Sequence, residues 1–128
     1  MAKYQIKGRF WIERDGETFL GYGRVILLQR IDELGSISKA ARSMGMGYRH
    51  AWRLVESMNK NSPVPLVIKK RGGAKGGGAA LTEAGRKVID YFWQYSIRLR
   101  ELLKEESEGL NSLIERLPHQ RYDKNVIK

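Results

Sequence analysis

The stretch GSISKAARSMGMGYRHAWRLVESMNK, residues 35–60, contains the pattern that decides the fold. Residues 36–38, Ser-Ile-Ser, offer hydroxyls that cap helices, and a short helix is predicted over Lys39–Met44. The segment Gly-Met-Gly at 45–47 then breaks the chain, and residues 48–60 resume with an apolar stripe and basic residues near the start. A short helix, a tight glycine-containing turn and a longer helix are typical of a helix-turn-helix.

The residues before this motif predict a β-hairpin and a first helix. From Tyr4 to Glu13 apolar and polar residues alternate as in a strand, apart from Trp11. Asp15-Gly16 has the turn chemistry of a two-residue hairpin loop. Apolar residues then recur at helical spacing up to Leu34, and Gly35 is placed to end that helix in a left-handed cap.

The residues after the motif predict a wing and a long helix. Two strand-like runs, residues 66–70 and 79–81, flank the segment RGGAKGGG, which has too many glycines to form a core. Thr82 is the expected cap of a helix over about residues 82–106, and apolar residues between 110 and 117 predict a short amphipathic segment before a polar tail. We therefore predict a winged helix-turn-helix domain over residues 1–106, mainly α with a small β component, and an extension over 107–128.

Composition restricts the possible partners. The 128 residues include 24 lysines and arginines against 14 aspartates and glutamates, a formal charge of +10 that favours polyanions. No apolar run approaches the roughly 20 residues that a membrane span requires, and the N-terminus lacks the apolar stretch of a secretory signal. We expect a cytoplasmic protein, associated with the nucleoid when bound to DNA. The chain has no cysteine, so disulfides and thiolate chemistry are excluded.

Nothing in the sequence indicates an enzyme. The two histidines, His50 and His119, lie 69 positions apart without a clear carboxylate companion, so we predict no catalytic residue, no metal site and no cofactor. The glycine-rich segment is not a phosphate-binding loop, because Lys75 precedes the second group of glycines and no serine or threonine follows it directly.

A known family shares these motifs in the same order. The GSIS segment, the pair Ala51-Trp52, the pair Met58-Asn59 and the stretch GGAKGGGAALT resemble the N-terminal DNA-binding domain of the molybdate-responsive ModE regulators. The GSIS-x-AA core is also similar to LysR-type regulators. The resemblance covers roughly residues 4–106. Full regulators of this kind continue into an oxyanion-binding domain that we do not expect in this chain, so molybdate is not an expected ligand.

The resemblance implies a duplex-DNA surface with two helical parts. The second motif helix enters the major groove in such proteins, so its start is the expected recognition element. Arg49 and Arg53, four residues apart, are candidates for guanine edges or phosphates, whereas Tyr48 and His50 are candidates for phosphate or shape contacts. The expected surface of this helix is Gly47, Tyr48, Arg49, His50 and Arg53. The alternative is that these are ordinary solvated side chains.

Two further sets of residues complete the expected surface. Ser36, Ser38 and Lys39 begin the first motif helix, where either phosphate contact or pure helix capping accounts for the serines. The wing carries Lys69, Lys70, Arg71 and Lys75 without an acidic residue among them, which favours neutralisation of the DNA backbone. The alternative for the wing is a soluble hairpin tip without a ligand.

The long helix has a heptad pattern. Leu81, Val88, Tyr95 and Leu102 repeat every seven residues, and intervening small or apolar residues complete the seam. We predict a homodimer whose partner-facing residues are Val88, Phe92, Tyr95, Leu99 and Leu102. The sequence thus predicts a dimeric, sequence-specific regulator that binds double-stranded DNA. Alternatives are a non-specific nucleic-acid or chromatin-architecture protein and a protein-interaction module.

Overall fold

A computed structural model describes residues 3–70, 78–120 and 125. The chain forms two compact units, one over Arg9–Ile97 and one that combines Met1–Gly8 with Arg98–Lys128. In the described residues of the first unit, two small antiparallel hairpins accompany the helices. This arrangement confirms the winged helix-turn-helix fold, mainly α with a small β component, that the sequence predicts.

The N-terminal hairpin is shorter than the alternation pattern predicts. Strand β1 covers Ile12–Arg14 and strand β2 covers Glu17–Leu20. Asp15 and Gly16 both have positive φ values, 49° and 84°, which confirms the predicted turn. The residues from Tyr4 to Trp11 are not part of a strand, so the prediction of a strand beginning at Tyr4 is wrong.

Three helices follow the hairpin. Helix α1, Tyr22–Leu34, ends at Gly35, whose φ of 68° and N–H bond to the Ile31 carbonyl confirm the left-handed cap. Helix α2 covers Ile37–Ser43, beginning two residues before the predicted start because Ser36 is its cap. Helix α3 covers Tyr48–Lys60, as predicted.

The wing strands and the long helix come next. Strands β3, Val67–Lys70, and β4, Gly78–Leu81, pair antiparallel. The Gly85 N–H donates to the Thr82 hydroxyl oxygen at 3.1 Å, so Thr82 caps helix α4, Glu83–Glu115. The predicted end near Glu106 is wrong, because one continuous helix includes the segment that we expected to be separate.

The apolar core lies in the Arg9–Ile97 unit. Within it, Phe10 stacks on Phe92 with ring centroids 4.6 Å apart, and Tyr22 meets Phe92 edge to face at 5.1 Å. The buried apolar residues that form this core are Leu20, Val25, Leu27, Leu28, Ile31, Ile37, Ala40, Ala41, Ala51, Val55, Met58, Leu66, Val67, Ala79, Leu81, Ile89 and Phe92.

The other unit is held together differently. Its N-terminal segment is outside any strand or helix, and side chains of α4 bond to its backbone: Tyr4 N–H donates to the Asn111 side chain, and Ile6 N–H donates to the Ser107 hydroxyl, both at 2.8 Å. Asn111 returns a bond to the Tyr4 carbonyl at 2.8 Å. None of its described residues, 3–8, 98–120 and 125, is buried.

Candidate nucleic-acid interface

The start of α3 presents a basic surface. Ala51, Val55 and Met58 are buried, so packing of this side against the core holds the helix in place. The other side leaves the predicted recognition residues exposed: Gly47, Tyr48, Arg49, His50 and Arg53. Neither arginine forms an ion pair or hydrogen bond with a described residue, so both guanidinium groups are available to a ligand.

The start of α2 lies next to this surface. Ser36 is half-buried, and its hydroxyl oxygen accepts the Lys39 N–H at 3.1 Å, which shows the capping role that was one of two interpretations. Ser38 and Lys39 are exposed. The Ser38 hydroxyl makes no hydrogen bond within the described part of the chain, so a ligand could engage it.

The wing contributes two described cations. Lys69 and Lys70 are neighbours in β3 and both are exposed. The Lys69 ammonium nitrogen lies 5.2 Å from the centre of the Trp52 ring. Arg71 and Lys75, the other two predicted wing residues, lie outside the described residues.

Asn59 joins the recognition helix to the wing. Its side-chain oxygen accepts the N–H groups of Leu66 and Val67 at 2.8 and 3.2 Å, and its side-chain nitrogen donates to the Val67 carbonyl at 2.9 Å. One side chain thus bonds to the beginning of β3, where Val67 also pairs with Leu81 of β4. The orientation of the wing relative to α3 therefore depends on Asn59, a residue to which the sequence pattern assigned no role.

Arg24 ties the other hairpin to the same helix. Its guanidinium donates to the Ser57 hydroxyl of α3 at 3.0 Å and to the Thr18 carbonyl at 3.1 Å. Burial lowers the pKa of Arg24 from its usual value, and the nearby Glu17 carboxylate opposes that shift. Arg24 is therefore a structural cation, unlike the unpaired arginines of α3.

Comparison with known proteins agrees with this geometry. Residues 24–86 match the family described as bacterial regulatory helix-turn-helix protein, lysR family. The chain is 34% identical over 113 residues to "Molybdenum transport protein ModE" of Azotobacter vinelandii, covering 88% of this chain and 42% of that protein. It is 37% identical over 95 residues to "DNA-binding transcriptional dual regulator ModE" of Escherichia coli K12, covering 71% and 36%. The chain carries a ModE-like N-terminal helix-turn-helix domain.

Another relative extends this comparison. The chain is 41% identical over 100 residues to "Molybdenum-pterin-binding protein MopB" of Rhodobacter capsulatus, covering 78% of this chain and 37% of that protein. This chain therefore spans about two fifths of the length of these curated relatives. None of the described helices combines the length and apolar character that a membrane crossing requires.

The long helix of this ModE-like chain exposes part of the predicted partner-facing set. Tyr95 and Leu102 are 44% and 51% exposed. Val88 and Leu99 are half-buried. Phe92 is fully buried by its own chain, beneath Phe10 and Tyr22, so it belongs to the protomer core and is removed from the candidate surface.

Proposed function

We propose that this chain is a transcription regulator that binds double-stranded DNA in a sequence-specific way. The exposed, unpaired Arg49 and Arg53 at the start of α3 carry this proposal. A major groove accepts one α-helix, and the first turns of the second motif helix meet base edges there. The formal charge of +10 adds attraction to the phosphate backbone. The Escherichia coli relative is named as a DNA-binding transcriptional dual regulator.

The proposed surface divides into two kinds of contact. Arg49 and Arg53 make contacts with guanine edges, because a guanidinium matches the paired acceptors of guanine. Tyr48 and His50 make phosphate or shape contacts, and Ser38 and Lys39 at the start of α2 contact phosphate. The wing residues Lys69, Lys70, Arg71 and Lys75 neutralise phosphates without choosing a sequence.

Selection of bound duplexes from a random pool tests sequence preference. A preferred motif is expected, and Arg49→Ala or Arg53→Ala should lose about 1 to 3 kcal/mol on that motif and relax one base position. Lys70→Ala is the matched comparison: it should weaken all duplexes alike and lower the slope of log affinity against log salt by about one. A ratio of specific to non-specific affinity near one would instead favour the chromatin-architecture alternative. No retention on DNA at low salt would favour a protein-interaction module.

We also propose that the regulator is a homodimer joined through α4. The helix has 33 residues, and the exposed Tyr95 and Leu102 lie along its heptad seam. The next position of the seam is Gly109, and Leu113, four residues after it, is 50% exposed. Apolar side chains repeated on one side of a long helix are stabilised by a second helix that removes them from water.

Sedimentation tests the dimer. The protein should sediment as a dimer at about tens of micromolar, and Leu102→Glu should shift it towards the monomer because a carboxylate would be desolvated at the interface. Lys104→Glu, an exposed change two residues away, is the control for charge alone. A monomeric wild-type protein at these concentrations would contradict the proposal.

Two other properties follow from this proposed function. The protein acts by binding, not by catalysis, and works in the cytoplasm on nucleoid DNA. We propose no molybdate requirement for this chain. A saturating ligand at a hundredfold excess over its dissociation constant adds about 2.7 kcal/mol of stability, so a clear rise in melting temperature with molybdate would refute that statement.

A further inference from the structure

A cavity of about 260 Å³ opens beside the recognition helix. It lies between the start of α2, the first turns of α3 and the hairpin of β3 and β4. Its wall combines two aromatic rings, a cation and two hydroxyl side chains: Tyr48, Trp52, Lys69, Ser36 and Ser38. The cavity wall therefore combines aromatic surface with hydrogen-bond donors.

Trp52 contacts two other residues of this wall, Tyr48 and Lys69. Tyr48 packs edge to face against Trp52, with ring centroids 6.3 Å apart and planes at 79°. The Lys69 ammonium lies over the same indole, 5.2 Å from the ring centre, a distance at which a cation is attracted to the ring. Trp52 is half-buried: it packs against the core, and the Lys69 ammonium lies over its ring.

We propose that this cavity binds one deoxyribose-phosphate unit of duplex DNA and that Trp52 is a positioning residue for Lys69. The inference rests on the proposed DNA-binding function. A phosphate accepts bonds from an ammonium and from serine hydroxyls, and a sugar face packs on the exposed Tyr48 ring. A lysine side chain otherwise loses much rotamer freedom when it binds. Because the indole already restricts Lys69, less freedom is lost when the phosphate arrives.

Lys70 provides a matched comparison within the same strand. Successive side chains of a strand point to opposite faces, so Lys70 does not share the face of Lys69. In the register of the hairpin, Lys69 pairs with the buried Ala79, whereas Lys70 pairs with Gly78. If Trp52 acts through Lys69, the losses of DNA affinity caused by substituting Trp52 and Lys69 should be coupled. The losses caused by substituting Trp52 and Lys70 should simply add.

The test is a double-mutant cycle on the full chain, measured by fluorescence anisotropy with a labelled duplex of mixed sequence over a range of salt. Lys69→Ala should lower the slope of log affinity against log salt by about one. Trp52→Leu should weaken binding by about 2- to 5-fold when Lys69 is present, as expected for loss of an exposed cation–π contact. In the Lys69→Ala background the same change should have almost no effect. Trp52→Phe and Lys69→Arg should retain most of the affinity, since both keep a cation over a ring.

Several outcomes would overturn the inference. Additive losses for Trp52→Leu and Lys69→Ala, or equal coupling of Trp52 to Lys70→Ala, would show that Trp52 acts independently of Lys69. Thermal melting of each variant identifies loss of fold, and Trp52→Phe supplies the readout if Trp52→Leu melts early. If the wild-type protein itself shows no salt-dependent binding, the proposed function fails; if it binds and only the coupling is missing, this inference alone fails.

Discussion

Two asparagines have the same kind of contact in the two units of the chain. Asn59 bonds to the backbone of Leu66 and Val67 at the start of the wing, and Asn111 bonds to both backbone polar groups of Tyr4. Asn59 thus bonds to the beginning of a strand, whereas Asn111 bonds to a segment that is outside any strand. The bond lengths are also alike, 2.8 to 3.2 Å for Asn59 and 2.8 Å for Asn111.

Their surroundings differ. Leu66 and Val67 are 0% and 5% exposed, whereas Tyr4 is 46% exposed. Water could replace the side chain at Tyr4 but has little access to the backbone groups that Asn59 serves. The same hydrogen bonds should therefore contribute much more stability in the Arg9–Ile97 unit, because an unsatisfied buried group costs its full desolvation energy.

Asn59→Ala should give the largest loss of stability. It leaves three backbone groups near the core without a partner, and we expect the free energy of unfolding to fall by about 3 kcal/mol. Urea denaturation followed by circular dichroism measures this change. Asn59→Asp, which keeps the acceptor and loses the donor to Val67, should lie between wild type and Asn59→Ala. A loss below about 1 kcal/mol for Asn59→Ala would contradict the expected difference between Asn59 and Asn111 in their contribution to stability.

Gly85→Ala should be next, with a loss of about 2 kcal/mol from overpacking. A Cβ at Gly85 would lie 2.6 Å from the Leu66 carbonyl oxygen and 2.7 Å from Leu81 Cγ, so α4 would have to move away from the wing strands. Gly109→Ala is a control in the same helix, where nothing lies within 4 Å of an added Cβ. It should stabilise the protein by up to about 1 kcal/mol through helix propensity. A lower melting temperature for Gly85→Ala together with a higher one for Gly109→Ala would support this expectation. Shifts of the same sign would contradict it.

Tyr22→Phe should have an intermediate effect of about 1.5 kcal/mol. The Tyr22 hydroxyl bonds to the Ser96 hydroxyl at 3.0 Å, and Ser96 is only 2% exposed. The change leaves a buried hydroxyl without its partner. Adding Ser96→Ala should recover much of the loss, because removing both polar groups is nearly neutral. Failure of the double variant to recover stability in urea would count against this assignment.

Asn111→Ala should give the smallest effect, below about 0.5 kcal/mol, since solvent can satisfy the exposed Tyr4 backbone. Hydrogen exchange measured by mass spectrometry should still detect faster exchange at Tyr4 N–H. Ser107→Ala should act similarly at Ile6 N–H. A loss of global stability as large as that of Asn59→Ala would show that the two units depend on their asparagines equally.

Local chemistry explains which parts of the fold were predictable. Asp15-Gly16, Gly35, Ser36 and Thr82 each have a conformational or capping preference that acts within a few residues, and the structure has each in its predicted role. The bounds of α3 also followed from a glycine break and a one-sided apolar stripe. The recognition helix was therefore located from sequence, although its contacts with DNA stay a prediction.

The errors come from interactions between distant residues. Alternation from Tyr4 to Glu13 predicts a strand, but alternation does not reveal the partner, and the backbone N–H groups of Tyr4 and Ile6 bond to polar side chains of a helix. The expected end of the long helix near Glu106 is wrong because α4 continues through Gly109 to Glu115, and a single glycine costs a helix only about 1 kcal/mol. The Lys69 contact with Trp52 could not be predicted, because 17 residues separate them in the chain.

The three tryptophans are intrinsic fluorescent probes of three different parts of the molecule. The Trp11 ring is 56% exposed and its N–H donates to a Glu13 carboxylate oxygen at 2.8 Å, while Trp52 lies half-buried at the proposed DNA surface. The Trp93 indole nitrogen is buried and has no hydrogen-bond partner among the described residues. Indole emission moves to shorter wavelength as its surroundings become less polar. Variants that keep one tryptophan at a time should therefore emit at three different wavelengths. They would report separately on the hairpin, the proposed DNA surface and the core, without an attached dye.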